Sequence, residues 1–179
     1  MEERIQNWLK DKEKLEQSYE FYFDKELITE VEDENNRLQK AHLEKAEHNL
    51  EFSYFLLNQN EEYLDWSIIG LYYAVYHSSL SLMIKCGHFS KNHNATLCFL
   101  IRNFSEFGEE DIELFEDLEL KEEEIKFYTS VKNERQKASY STKISFEKED
   151  IEDLRLRTIE FITKIRLLID NLNSENETL

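Results

Sequence analysis

Arg135, with Tyr140 five positions on, and the turn Lys91-Asn92-His93 are the residues whose types and spacing could do chemistry. An arginine grips a phosphate through two parallel N–H···O bonds. A histidine or tyrosine beside it can take or give the proton that phosphoryl transfer moves. Read this way, Arg135, Tyr140 and His93 are the catalytic candidates, and Lys91, Asn92, Lys137 and Ser139 would line a phosphate or RNA strand. Plainer readings stand beside these. Arg135 near a helix end can simply offset the C-terminal dipole, and His93 at a helix start can bond nearby backbone. Arg135, Tyr140 and Asn92 could equally form a structural hydrogen-bond network.

The other histidines point elsewhere. His77 sits mid-helix in an apolar run and reads as a satisfied core residue. His42 and His48 are six apart, so they do not share a helix face, and His88 lacks an acidic or sulfur neighbour. No metal site is expected from them. There is no Gly-rich phosphate loop and no nucleophile elbow, so no cofactor is expected. Cys86 and Cys98 are too few for a disulfide scaffold and read as small buried residues of a reducing compartment.

Charge narrows the choice. With 39 acids against 22 lysines and arginines, the net charge of −17 disfavours a broad grip on nucleic acid or an anionic membrane. Yet no acid occurs from 66 to 105, or again from 135 to 146. Burial of a helix explains about half of the first gap. It does not explain the polar turn 87–94 or the segment 135–145, which together read as a local non-acidic patch suited to an anionic ligand.

The elements that must position these residues read as helices. The chain has no proline and three glycines, which argues for an all-α protein. Its centre is Trp66 to Ile84, a run without a charge. A helix apolar on all sides is buried on most of them. A membrane span is disfavoured, because Tyr72, Tyr73, Tyr76, His77 and three serines would each face hydrocarbon. Gly87 suits a left-handed cap after it, and Asn92 or Ser90 can cap a helix over 93–104. Before the central run lie a helical leader over 2–23, an acidic connection over 30–34 and a helix over 36–59. Its buried stripe is Leu43, Ala46, Leu50, Ser53 and Leu57. After it come a short helix over 109–117, a helix over 122–137, and a last helix over 146–172. Ile151, Leu154, Thr158, Phe161, Ile165, Leu168 and Leu172 form the stripe of that last helix. The expectation is an up-and-down bundle of four to five long helices with an extra N-terminal helix. Its parts are a leader and acidic connection (1–35), the bundle (36–172) and a polar tail (173–179). The charged opening Met1-Glu2-Glu3 does not resemble a signal peptide, so a cytoplasmic location is expected.

The segments AEHNLEF (46–52), DWSIIGLYYAVYHSSLSLM (65–83), SKNHNATLCFLI (90–101) and RQKASYS (135–141) resemble the HEPN superfamily of small helical domains. The branch in view has motifs close to DW-x-YYA-xxH, then SKNH-x-ATL, then R-xxx-SY. The resemblance covers about residues 36–172 and leaves the leader outside. It implies a helical bundle that pairs into a homodimer, in toxin–antitoxin or defence systems. Many members are metal-independent ribonucleases, in which an arginine and a histidine spaced Arg-x(4–6)-His hold the scissile phosphate at the dimer cleft while the RNA 2′-hydroxyl attacks. Others are non-catalytic modules, or pair with a small nucleotidyltransferase antitoxin. Carried over, Arg135 falls on the motif arginine, but Tyr140 stands where the histidine would. No histidine follows His93. An unperturbed phenol is a poor base at neutral pH, so His93 would have to supply the imidazole from the 90–94 turn.

Overall fold

The structure, a computed structural model, describes residues 5, 7–31, 36–59, 63–119 and 147–176, with side chains to 174. Helix α1 (Lys12–Asp24) leads into strand β1 (Ile28–Glu30). Helices α2 (Asn36–Leu57) and α3 (Leu64–Lys85) form an antiparallel hairpin. Strand β2 (His88–Ser90) and helix α4 (His93–Asn103) follow. A helical stretch α5 covers 109–119, and α6 spans Lys148–Asn176. The described residues are mostly helical, as the absence of proline and scarcity of glycine imply.

Helix α3 is the hub. It packs on α2, α4, α6 and β2, and Leu71, Ala74, Ser78, Ser79, Leu82 and Met83 are fully buried along it. It is long and apolar enough to cross a membrane, but 78% of its most apolar window lies inside the fold. That burial accounts for its composition. The four serines of α3 can lie in the core because each hydroxyl is bonded: Ser78 and Ser79 donate to the Val75 carbonyl, Ser81 to the Gln39 carbonyl and Ser67 to that of Ser53. Ser53 and Ser67 also pair with each other at 2.8 Å. Small residues on the seam let α2 and α3 approach closely. A Cβ on Gly70 would meet the Ser53 Cβ at 3.0 Å and the Asn49 carbonyl oxygen at 3.1 Å.

Helix α3 ends with Gly87 in the left-handed region at φ 74°, the conformation that the sequence leads one to expect there. Helix α6 buries the expected stripe of Ile151, Leu154, Thr158, Phe161, Ile165 and Leu168. It runs on to Asn176, past the expected end at 172. Its rear flank is tied to α5, where the Lys164 ammonium donates to both Asp111 oxygens at 2.7 Å and Arg157 donates to Asp117 at 2.8 Å. On α2, Ala46, Ser53 and Leu57 are buried as expected, while Leu43 and Leu50 are half-buried.

Two features depart from the sequence reading. The leader is not one helix over 2–23: residues 7–10 form turns, and α1 starts only after Asp11, whose carboxylate accepts from the Glu13 and Lys14 N–H groups. The stretch after α1 is also not wholly a solvated link. Ile28, Thr29 and Glu30 pair antiparallel with Ser90, Phe89 and His88, making a two-stranded ribbon in an otherwise helical fold. Through this ribbon and α1 the leader joins the core. Trp8 is 1% exposed, with its indole N–H donating to Ser18, and Leu15 and Ile28 are buried. On α4, the Arg102 guanidinium lies 4.0 Å from the Tyr19 ring centroid and bonds Glu16 at 2.8 Å, so it clamps α1 in place.

Candidate functional site

His93 opens α4, and the local sequence fixes it there. Asn92 is the helix cap: its side-chain oxygen accepts from the Ala95 N–H at 2.9 Å, and its carbonyl accepts from the Thr96 N–H and hydroxyl. Ser90, buried at the end of β2, locks the turn from the other side. Its hydroxyl donates to the Asn92 carbonyl and accepts from the Asn92 N–H. The turn that carries the expected phosphate contacts is therefore rigid. Lys91 at its tip is exposed.

The His93 ring is held between two tyrosines of α3. Tyr72 and Tyr76 are four residues apart, hence on one helix face. Their ring centroids lie 4.8 Å and 4.2 Å from that of His93. The Tyr72 hydroxyl and His93 Nε2 share a hydrogen bond in which either atom can donate, according to the tautomer. The Tyr76 hydroxyl donates to the Ser90 carbonyl at 3.0 Å and so ties α3 to the turn. Burial raises the Tyr76 phenol above its ordinary value, with Tyr73 adding to the rise. Tyr76 is thus a hydrogen-bonding group and not a base. Beside the three rings is a small open pocket of about 10 Å³, lined also by Val75, Phe115 and Leu118. That is space on the scale of one water molecule. A nucleotide would have to lie across its mouth.

Chemically, the arrangement presents an imidazole at the start of a helix, where backbone N–H groups and the macrodipole favour an anion. A phenol hydroxyl in contact with that imidazole can orient it or relay its proton.

Of the residues singled out in the sequence, Lys91, Asn92 and His93 come together as one rigid turn. Arg135, Lys137, Ser139 and Tyr140 lie outside the described residues, as does the helix expected over 122–137. Arg102, a cation of the acid-free stretch, is engaged with Glu16 and Tyr19. His77 is a bonded core histidine as read from its position, and its partner is His42 at 2.9 Å. Among the described residues no group of three or more metal-ligating side chains gathers. Sequence reasoning weighed Tyr72 and Tyr76 only as polar groups that disfavour a membrane span and did not connect them with His93; their spacing of four was the available signal.

No family model matches the chain, and no solved structure matches it. It is similar to a protein of Methanocaldococcus jannaschii named "Putative toxin MJ0142". The two are 28% identical over 131 residues, which span 73% of this chain and 81% of that protein. The mostly helical chain described here thus has a relative named as a toxin.

Proposed function

We propose that this chain is a toxin of the HEPN type, with an RNA- and phosphate-binding cleft built around His93 and completed by Arg135 at a homodimer interface. The observation that carries the reading is the Tyr72–His93–Tyr76 arrangement, formed by the two segments that resemble the family's central motifs. The toxin-named relative, matched over 81% of its length, supports the same class. In this reading Arg135 grips the scissile phosphate. His93 takes the proton of the RNA 2′-hydroxyl as its oxygen attacks the phosphorus. The bond to the 5′-oxygen breaks, leaving a 2′,3′-cyclic phosphate, and the proton taken up by His93 passes to the leaving oxygen, which becomes a 5′-hydroxyl. No metal enters the step.

A second reading is favoured by the engagement of His93 Nε2 with Tyr72, and by Tyr140 at the position of the motif histidine. Under it the domain is a non-catalytic module that pairs with a small nucleotidyltransferase. RNA cleavage by the purified protein in EDTA, with His93→Ala and Arg135→Ala in parallel, separates the two. The nuclease reading requires cleavage that survives chelation and is lost in both variants. Intact RNA at high protein concentration, on several sequences, would leave the module.

A further inference from the structure

The hairpin of α2 and α3 has a second face that α6 does not cover. Helix α6 reaches α2 through Arg166, bonded to Glu47, and Arg155, whose guanidinium lies 4.9 Å from the Tyr54 ring centroid. Lys45 and Phe52 lie about 200° round the helix from Glu47 and Tyr54, on the opposite flank. On α3 the matching stripe is Trp66, Ile69 and Tyr73. The Ser53–Ser67 and His42–His77 bonds fix the register, which sets Phe52 level with Trp66 to Ile69 and Lys45 just beyond Tyr73. Phe55, one turn on from Phe52, and Tyr63, one turn before Trp66, extend the rings round the tip of the hairpin.

The area suits a pairing of two proteins. These five rings are between 39% and 57% exposed, and Ile69 is half-buried. At roughly 200 Å² for an aromatic side chain, they leave about 500 Å² in water. A specific interface buries about 800 Å² on each partner, of which about three-fifths is apolar. The rings alone supply that share. Interface cores are also rich in Trp, Tyr and Phe and poor in charge.

Charge decides the occupant. Among the described residues, the charges that border the stripe are Lys45 and Asp65, opposite in sign and at opposite ends of it. On α2, Glu44, Glu47 and Glu51 fall on the α6 flank or the back. A strand of nucleic acid would need cations here, and one lysine set against Asp65 does not supply them. A second copy needs none. In a two-fold pairing with the helices antiparallel, the Asp65 end of one copy meets the Lys45 end of the other. Repulsion between acids elsewhere on the two chains is screened beyond about 8 Å at physiological salt.

We propose that two copies of this chain pair through Phe52, Trp66 and Tyr73, about a two-fold axis near Ile69. This rests on the homodimer reading above and names the face that carries it. The Tyr73 ring makes edge contact with Tyr72, centroids 5.2 Å apart, and Tyr72 holds His93. The pairing therefore sets both His93 turns along one edge of the interface.

Sedimentation of the full chain over a dilution series tests this. The expected result is a species of twice the chain's mass that dissociates on dilution. Trp66→Ala and Tyr73→Ala should each raise the dissociation constant at least roughly tenfold, and Trp66→Glu should leave a monomer throughout. Leu167→Ala, 60% exposed but on α6, should pair like the parent. Trp66 is 55% exposed against 1% for Trp8, the other tryptophan, so iodide should quench the emission less in the dimer than in the diluted chain. Circular dichroism checks that the variants fold. His93→Ala should pair like the parent, so that a failed nuclease reading and a failed interface give different results. A dimer unchanged in every Trp66 and Tyr73 variant overturns this face and leaves the homodimer reading standing. A monomer at every concentration overturns both, whether Trp66 is then quenched by RNA or shielded within the single chain.

Discussion

Nδ1 of His42 and Nδ1 of His77 lie 2.9 Å apart across the α2–α3 seam. Only one of the two nitrogens can carry the shared proton, so the pair is held by a neutral, complementary arrangement of tautomers. Burial lowers the His77 imidazole to about 4, with Lys45 and then His42 adding to the fall, and burial followed by Lys45 lowers His42 as well.

Stability should therefore depend on pH on the acid side. An unfolded histidine binds its proton near 6.5 and folded His77 only near 4, so the unfolded state holds more protons between those values. The contribution is complete above about pH 6.5 and is lost as pH falls toward 4. It amounts to about 2 kcal/mol between pH 7 and pH 5. Urea unfolding at the two pH values should show the loss, and His77→Gln should flatten it. An equal slope in parent and variant would assign the pH dependence to other groups.

Gly70→Ala should loosen the helix pair. The added methyl meets the Ser53 Cβ at 3.0 Å and a backbone carbonyl of α2 at 3.1 Å, neither of which can swing away. A cost of about 1–3 kcal/mol is expected, read as a Tm lowered by roughly 3–10 °C. An unchanged Tm would mean that the seam is less tight than its distances imply.

Arg102→Ala should free the leader more than it destabilises the bundle. It removes the guanidinium from the Tyr19 ring and from Glu16, a partly exposed pair worth about 1 kcal/mol in all. Limited proteolysis should cut within residues 7–31 several times faster than in the parent. Equal cutting rates would count against the clamp.

Neither thiol should be reactive in the folded state. Burial pushes Cys86 up to about 11, with the Lys85 charge only partly opposing it, and Cys98 is fully buried. Since the thiolate is the nucleophile, alkylation at pH 7.5 should be at least about a hundredfold slower than after unfolding in urea. Rapid labelling of the native protein would contradict this.

What the sequence made legible was what repeats. The stripe Ile151 to Leu168 and the uncharged run Trp66 to Ile84 are long enough for their periodicity to reveal burial, and Asn92 and Gly87 carry their turn chemistry in their residue types. The ribbon was hidden because each strand is three residues long and its partner lies some sixty positions away. The His42–His77 pair depends on the register of one helix against another, which spacing within a single helix does not encode. The site was half visible for the same reason. His93 and its cap are local, whereas Tyr72 and Tyr76 looked like core until α3 was seen against the turn.

The ribbon also governs when the fold can close. Ile28 leaves the ribosome long before Ser90, its partner, so β1 must wait unpaired while both helices of the hairpin are made. Closing so long a loop costs entropy that local helices avoid. A chain shortened to begin after residue 35 would lack β1 and leave β2 with an unpaired backbone edge beside the half-buried Phe89 ring. Such an edge is a template for another chain. The leader thus covers the backbone edge that β2 would otherwise present at the His93 end of the molecule.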